Sequence, residues 1–116
     1  MPKYIFVYLG GEYPEDPKEG QQHFARYQSW LRGLGGAVLS PAIPCKDTHT
    51  VQADGTAEAG SISAMSGMSV LQFPSMADAL SAAKACPFLE IGGALEVSEL
   101  VEMTPEAPQD GAGKVN

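Results

Sequence analysis

The sequence predicts an α+β fold: an antiparallel sheet with two helices on one face. Three observations carry that expectation. The chain opens on a short β-branched and aromatic run, two later stretches repeat apolar residues at helical spacing, and the remaining segments alternate or are rich in strand formers. With 116 residues, 44% of them hydrophobic, the chain is the size of one domain around one modest core.

"KYIFVYLG", residues 3–10, ends at Gly10-Gly11 and reads as a strand buried on both faces; its brevity favours strand over helix. After the turn-like "GGEYPEDPKEG", Phe24, Tyr27, Leu31 and Leu34 recur at helical spacing, with Trp30 widening the stripe. Gly35-Gly36 supplies a left-handed stop. "AVLSPAI" is a second strand, placed at an edge or carrying a bulge because Pro41 cannot donate to a ladder. "THTVQADGT" alternates and contains the turn signal Asp54-Gly55, which predicts a third strand ending there. The small, polar "EAGSISAMSG" reads as a loop leading into a fourth strand, "MSVLQF", residues 68–73. In "SMADALSAAKACP", Ser75 and Asp78 form a shortened capping box, Met76, Ala79, Leu80 and Ala83 share one helical face, and Pro87 ends the helix. "GALEVSELVEM" alternates Leu95, Val97, Glu99 and Val101 against Glu96, Ser98 and Leu100, a last strand. Residues 104–116 have almost nothing to bury and are expected to form a flexible tail behind a domain spanning 1–103.

The order β-α-β-β-α-β is the ferredoxin-like arrangement. Its sheet leaves one set of alternating side chains, either Tyr4, Phe6 and Tyr8 or Ile5, Val7 and Leu9, without a helix layer. An apolar face of that kind marks an association surface, so a homodimer packed sheet against sheet is expected.

Composition excludes several classes. The net charge of −7 and only seven scattered Lys and Arg argue against a nucleic-acid partner, which needs clustered cations. No apolar run approaches the ~20 residues that span a bilayer, and the N-terminus lacks a signal-peptide core, so a cytoplasmic protein with no membrane partner is expected. Cys45 and Cys86 belong to no CxxC and have no histidine at ligand spacing; both are read as buried, reduced thiols, and no metal site is expected. The Gly-Gly pairs match neither phosphate-loop pattern, and no GxSxG or HExxH occurs.

At this point a resemblance becomes specific. "GMSVLQFPSMADALSAAKACPFLEIGGALEVSELVEM" is similar to the C-terminal half of the YCII-related domain family: a strand, a helix ending in "CP", a "GG" turn and an "EV" strand in that order. "KYIFVYLGG", "HFARYQSWLRGLGGAVLSPAIP" and "THTVQADGT" resemble the rest of the pattern, so the match runs over residues 3 to 103. The "DGPF" signature of a large branch of the family is absent, with "AEAGSISAMSG" in its place. The resemblance implies a dimeric α/β barrel built from ferredoxin-like protomers. It also implies kinship with lactone isomerases, dehalogenases and monooxygenases that need no metal, hence no cofactor, and a helix-borne histidine that falls at His23. For a partner aspartate it leaves Asp16 and Asp47 both open.

The residues themselves say less. A neutral imidazole at the mouth of a cleft can act as general base near neutral pH, with Asp16 folding back to orient it. The plainer reading of His23 is a half-exposed residue at the margin of the apolar face, and His49 reads as a surface histidine on an edge strand. If His23 is functional, positions 23, 27, 30 and 34 form its row, and it shares a cleft with Tyr27. Tyr8, Tyr27, Trp30, Ser40 and Ser69 are candidate pocket residues that offer polar groups in an aromatic wall. Two functions follow: a cofactor-free enzyme that transfers protons on a small molecule, with His23 as catalytic base, or a small-molecule binding or accessory dimer without turnover.

Overall fold

The structure, a computed structural model, describes residues 1–102; the expected tail lies outside them. A four-stranded antiparallel sheet is built from β1 (Lys3–Gly10), β2 (Val38–Pro44), β5 (Met65–Gln72) and β6 (Gly93–Glu99) in the order β2-β5-β1-β6. Two helices, α1 (Pro17–Leu34) and α2 (Met76–Lys84), complete the ferredoxin-like pattern. A separate two-stranded ribbon, β3 (His49–Val51) with β4 (Ala57–Ala59), is inserted between β2 and β5.

The alternation of β1 decides which side chains meet the helices. Tyr4, Phe6 and Tyr8 are buried, and their partners across the ladder continue the same inward rows: Leu71, Ser69 and Gly67 on β5, Glu99, Val97 and Leu95 on β6. Ile5, Val7 and Leu9 point to the other face with Met68 and Val70, and all five are only partly buried. Tyr4, Phe6, Leu71, Phe73, Ala79 and Ala83 form the core cluster, with the Phe6 and Phe73 rings stacked at 6.2 Å. Trp30 packs on this cluster and ties the helices together by donating its indole N–H to the Ala82 carbonyl of α2 at 3.0 Å.

Both helices begin on a sequence-legible cap. Asp16 is the N-cap of α1, its carboxylate accepting from the Lys18 N–H at 3.1 Å, with Pro17 in the first turn; Ser75 caps α2 by accepting from the Asp78 N–H. Gly35, at φ 55°, stops α1 where an L side chain would be strained.

Several expectations change. On α1 His23 is buried and Tyr27, Trp30, Leu31 and Leu34 are partly buried, while Phe24 is 59% exposed, so the helix is rotated from the stripe that begins at Phe24. On α2 the alanines Ala79 and Ala83 face inward and Met76 and Leu80 lie outside, because the aromatic layer beneath already fills the space and only small side chains let the helix settle on it. The third expected strand pairs with Ala57–Ala59 instead of joining the main sheet. Its turn is closed locally: the Thr56 N–H and hydroxyl both donate to the Asp54 carboxylate, at 3.0 and 2.8 Å. The fourth strand starts at Met65, inside the expected loop, since β1 and β2 pair with it from both sides. The last strand stops at Glu99 and Val101 is 82% exposed, because the neighbouring β1 begins only at Lys3. As Pro41 requires, β2 is an edge strand, and its register on β5 shifts twice. Among the described residues no helix is long and apolar enough to cross a membrane.

Candidate functional site

A cavity of about 350 Å³ opens between α1, the irregular edge strand β2 and the inward face of the sheet. Helix α1 contributes His23, Phe24, Tyr27, Gln28 and Leu31; β2 contributes Pro41 to Pro44; β5 contributes Ser66 and Gly67; Tyr8, Tyr13 and Phe88 complete the wall. Among the described residues no Lys, Arg, Asp or Glu lines it.

Glycines make room for this cavity. Gly67 lies directly opposite Tyr8 on β5, so the inward row carries no side chain there, and a Cβ at Gly67 would approach the Ile43 carbonyl oxygen to 2.9 Å. Phe88 enters the wall over Gly11 and Gly93, where a Cβ would collide with its ring, and meets Tyr8 edge-on at 5.3 Å. The β1–β5 register slips between Tyr8 and Leu9, a bulge at the cavity floor from which the Ser66 hydroxyl donates to the Tyr8 carbonyl.

His23 is 5% exposed, a buried residue rather than a marginal one, and its Nδ1 has no hydrogen-bond partner among the described residues. Tyr13, from the loop before α1, stands edge-on over the imidazole at 5.7 Å. Burial lowers the His23 pKa below its ordinary 6.5; nearby Arg26 adds to this and Glu90 opposes it, so the ring is neutral at pH 7. Arg26 and Glu90 form an exposed ion pair at 2.9 Å beside the site.

Three hydroxyls meet on the sheet side. The Tyr8 oxygen lies 2.6 Å from Ser69 Oγ and 2.9 Å from the Tyr27 oxygen. Burial raises the pKa of both tyrosines, so both stay protonated at any physiological pH. Of the residues singled out from the sequence, His23, Tyr8 and Tyr27 therefore line one cavity, and Ser69 stands behind Tyr8. Trp30 and Ser40 do not line it: Trp30 is spent between the helices, and the Ser40 hydroxyl turns to the Pro41 carbonyl. Asp16 is occupied as a helix cap, and Asp47 sits in the loop before the ribbon, where its carbonyl meets the exposed His49 ring at 3.2 Å. Cys86 is buried and its thiol is pushed up to about 11, chiefly by burial, while Cys45 is partly exposed, not buried as expected. The reading from sequence missed Tyr13, Phe88 and Gly67. The glycine pairs at 10–11 and 92–93 were the available signal for Phe88; nothing local marks Tyr13.

No family model matches the chain, and no curated protein matches it. Among solved structures the chain is similar to 5-chloro-2-hydroxyhydroquinone dehydrochlorinase (TftG) from Burkholderia phenoliruptrix AC1100, in complex with 2,5-dihydroxybenzoquinone. The TM-score is 0.51 at 18% identity, over 90% of this chain and 98% of that one. At that identity the similarity is one of fold: the ferredoxin-like α+β protomer, seen here with an inserted ribbon.

Proposed function

We propose that this protein is a small-molecule enzyme of the proton-transfer type, an isomerase or lyase of the YCII-related kind that works in the cytoplasm without a cofactor and uses His23 as its base. The observation that carries this reading is the buried, neutral His23, whose Nδ1 finds no partner among the described residues although the ring lines a cavity of ligand size. A buried polar atom is ordinarily paired, and an unpaired one in a ring that lines a cavity marks the residue as a site candidate rather than a packing residue. The walls are largely apolar, and Tyr27 offers a hydroxyl to a substrate oxygen, with Tyr8 bonded behind it. In the step proposed, a C–H bond beside a substrate carbonyl breaks, the proton passes to the imidazole, and the electron pair moves onto the carbonyl oxygen. The imidazolium then returns the proton to another carbon, or a leaving group departs from the adjacent carbon with its bonding pair. The fold neighbour, a dehydrochlorinase holding a six-membered dihydroxyquinone, is in keeping with a small cyclic ligand.

The working form is proposed to be a homodimer. Ile5, Val7, Leu9, Met68 and Val70 leave an apolar sheet face that no described element covers, and a second copy of the same face is its natural complement. Sedimentation at micromolar concentration should give twice the chain mass.

A second reading is a binding dimer without turnover. One observation favours it: Asp16, the aspartate expected to fold back onto the ring, is used as a helix cap, and among the described residues no carboxylate hydrogen-bonds His23 Nδ1. The His23→Asn variant separates the two readings. Catalysis predicts that folding survives and turnover of a ligand recovered from the cavity is lost; a binding role predicts that no ligand is turned over by either protein. An imidazole resonance unmoved by every ligand that binds would end the catalytic reading.

A further inference from the structure

The hydroxyl chain behind the cavity has a direction, and that direction selects a ligand. Ser69, Tyr8 and Tyr27 carry three hydroxyl protons and share two hydrogen bonds, so one proton is left over. Ser69 is 0% exposed, and among the described residues Tyr8, at 2.6 Å, is the one partner in hydrogen-bond geometry with its hydroxyl, the Tyr27 hydroxyl lying near without closing a third bond. If Ser69 accepted from Tyr8, its own proton would be buried with no acceptor, the costly arrangement; as donor it is satisfied. Tyr8, 4% exposed, then accepts from Ser69 and satisfies its own proton by donating to Tyr27. Were Tyr8 to accept from both neighbours, its proton would be stranded in turn. The remaining proton belongs to Tyr27, which is only partly buried and lines the cavity.

We infer that the cavity takes an uncharged, planar cyclic carbonyl compound whose oxygen accepts a hydrogen bond from the Tyr27 hydroxyl, with Ser69 and Tyr8 fixing the direction of that bond. The lining supports each adjective. Among the described residues it holds no charged side chain to neutralise an ionic ligand, and Phe24, Phe88 and Tyr13 give flat apolar walls. Tyr27 is a substrate-binding residue in this assignment and Ser69 a positioning residue. The inference rests on the cavity being the functional site, as proposed above.

The test uses 1-indanone, a planar ring ketone, beside indane, which lacks the oxygen, and benzoate, which is charged. Each is titrated by NMR into the full-length wild type and Tyr27→Phe, and the ketone stretch of bound 1-indanone is read by infrared difference spectroscopy. The expected result is that Tyr27→Phe weakens 1-indanone about three- to tenfold, leaves indane unchanged, and removes a lowering of the ketone frequency seen in the wild type. Should Tyr27→Phe fail to fold, the wild-type frequency, compared with the ketone in hexane, decides alone. If indane and 1-indanone both move the Phe88 and Tyr13 resonances but the stretch stays at its hexane value, or if benzoate binds best, this inference falls while the cavity stands as a ligand site. If no ring compound moves those resonances, both fall.

Discussion

An alanine in place of Gly67 probes the spacing on which the cavity depends. The new Cβ would lie 2.9 Å from the Ile43 carbonyl oxygen and 3.4 Å from Pro44 Cα, and both obstacles are backbone, which cannot rotate aside as a side chain would. Restoring ordinary contact at 3.4 Å moves the β2 backbone away from β5 by about 0.5 Å. Overpacking of this order costs about 1–3 kcal/mol, and the smaller entropy of an unfolded chain with alanine offsets about 0.4–1 kcal/mol of it. The net expectation is a destabilisation of about 1–2 kcal/mol, which lowers the melting temperature of a domain this size by about 4–16 °C. Because the displaced segment is the Pro41–Pro44 wall, ligand affinity should drop with it. Thermal and urea melts of the purified variant give the first quantity, and titration with a cavity ligand the second. The companion change Gly33→Ala, inside α1 with nothing within 4 Å of the new Cβ, should stabilise by about 0.5–1 kcal/mol. A Gly67→Ala protein that melts at or above the wild type would show that β2 does not press on β5 as described.

Two further outcomes follow from titratable groups. His23 has a native pKa below its unfolded value near 6.5, so below that pH the unfolded chain takes up a proton that the native ring resists; its contribution is complete above about pH 6.5 and declines as the pH falls. Melts between pH 8 and 5 should show His23→Asn losing part of that decline, and parallel curves for the two proteins would contradict a buried neutral ring. The thiols should differ in rate: a disulfide reagent at pH 8 reacts at once with partly exposed Cys45, while Cys86, buried and pushed up to about 11, reacts only on unfolding. Two equally fast equivalents would place Cys86 at the surface.

What the sequence determined by itself is local. Strand β1, the caps at Asp16 and Ser75, the stop at Gly35 and the edge position implied by Pro41 each follow from steric or hydrogen-bonding rules that act within a few residues, and they suffice for an α+β order of ferredoxin type. Tertiary structure decided which face each element turns inward. Helix α1 could bury Phe24 or His23, and both stripes share Tyr27 and Leu34; which of them lies inside is settled only when α1 packs on the paired sheet and Tyr13 stands over the imidazole. The same holds for the site. Tyr8, Tyr27 and Ser69 lie 19 and 61 residues apart along the chain from Tyr8, yet their oxygens meet within 2.9 Å. Ser69 is diagonal to Tyr8 across the ladder, and α1 hangs Tyr27 over both. Composition cannot express a register, and a shift of one residue would turn every one of these groups to the opposite face of the sheet.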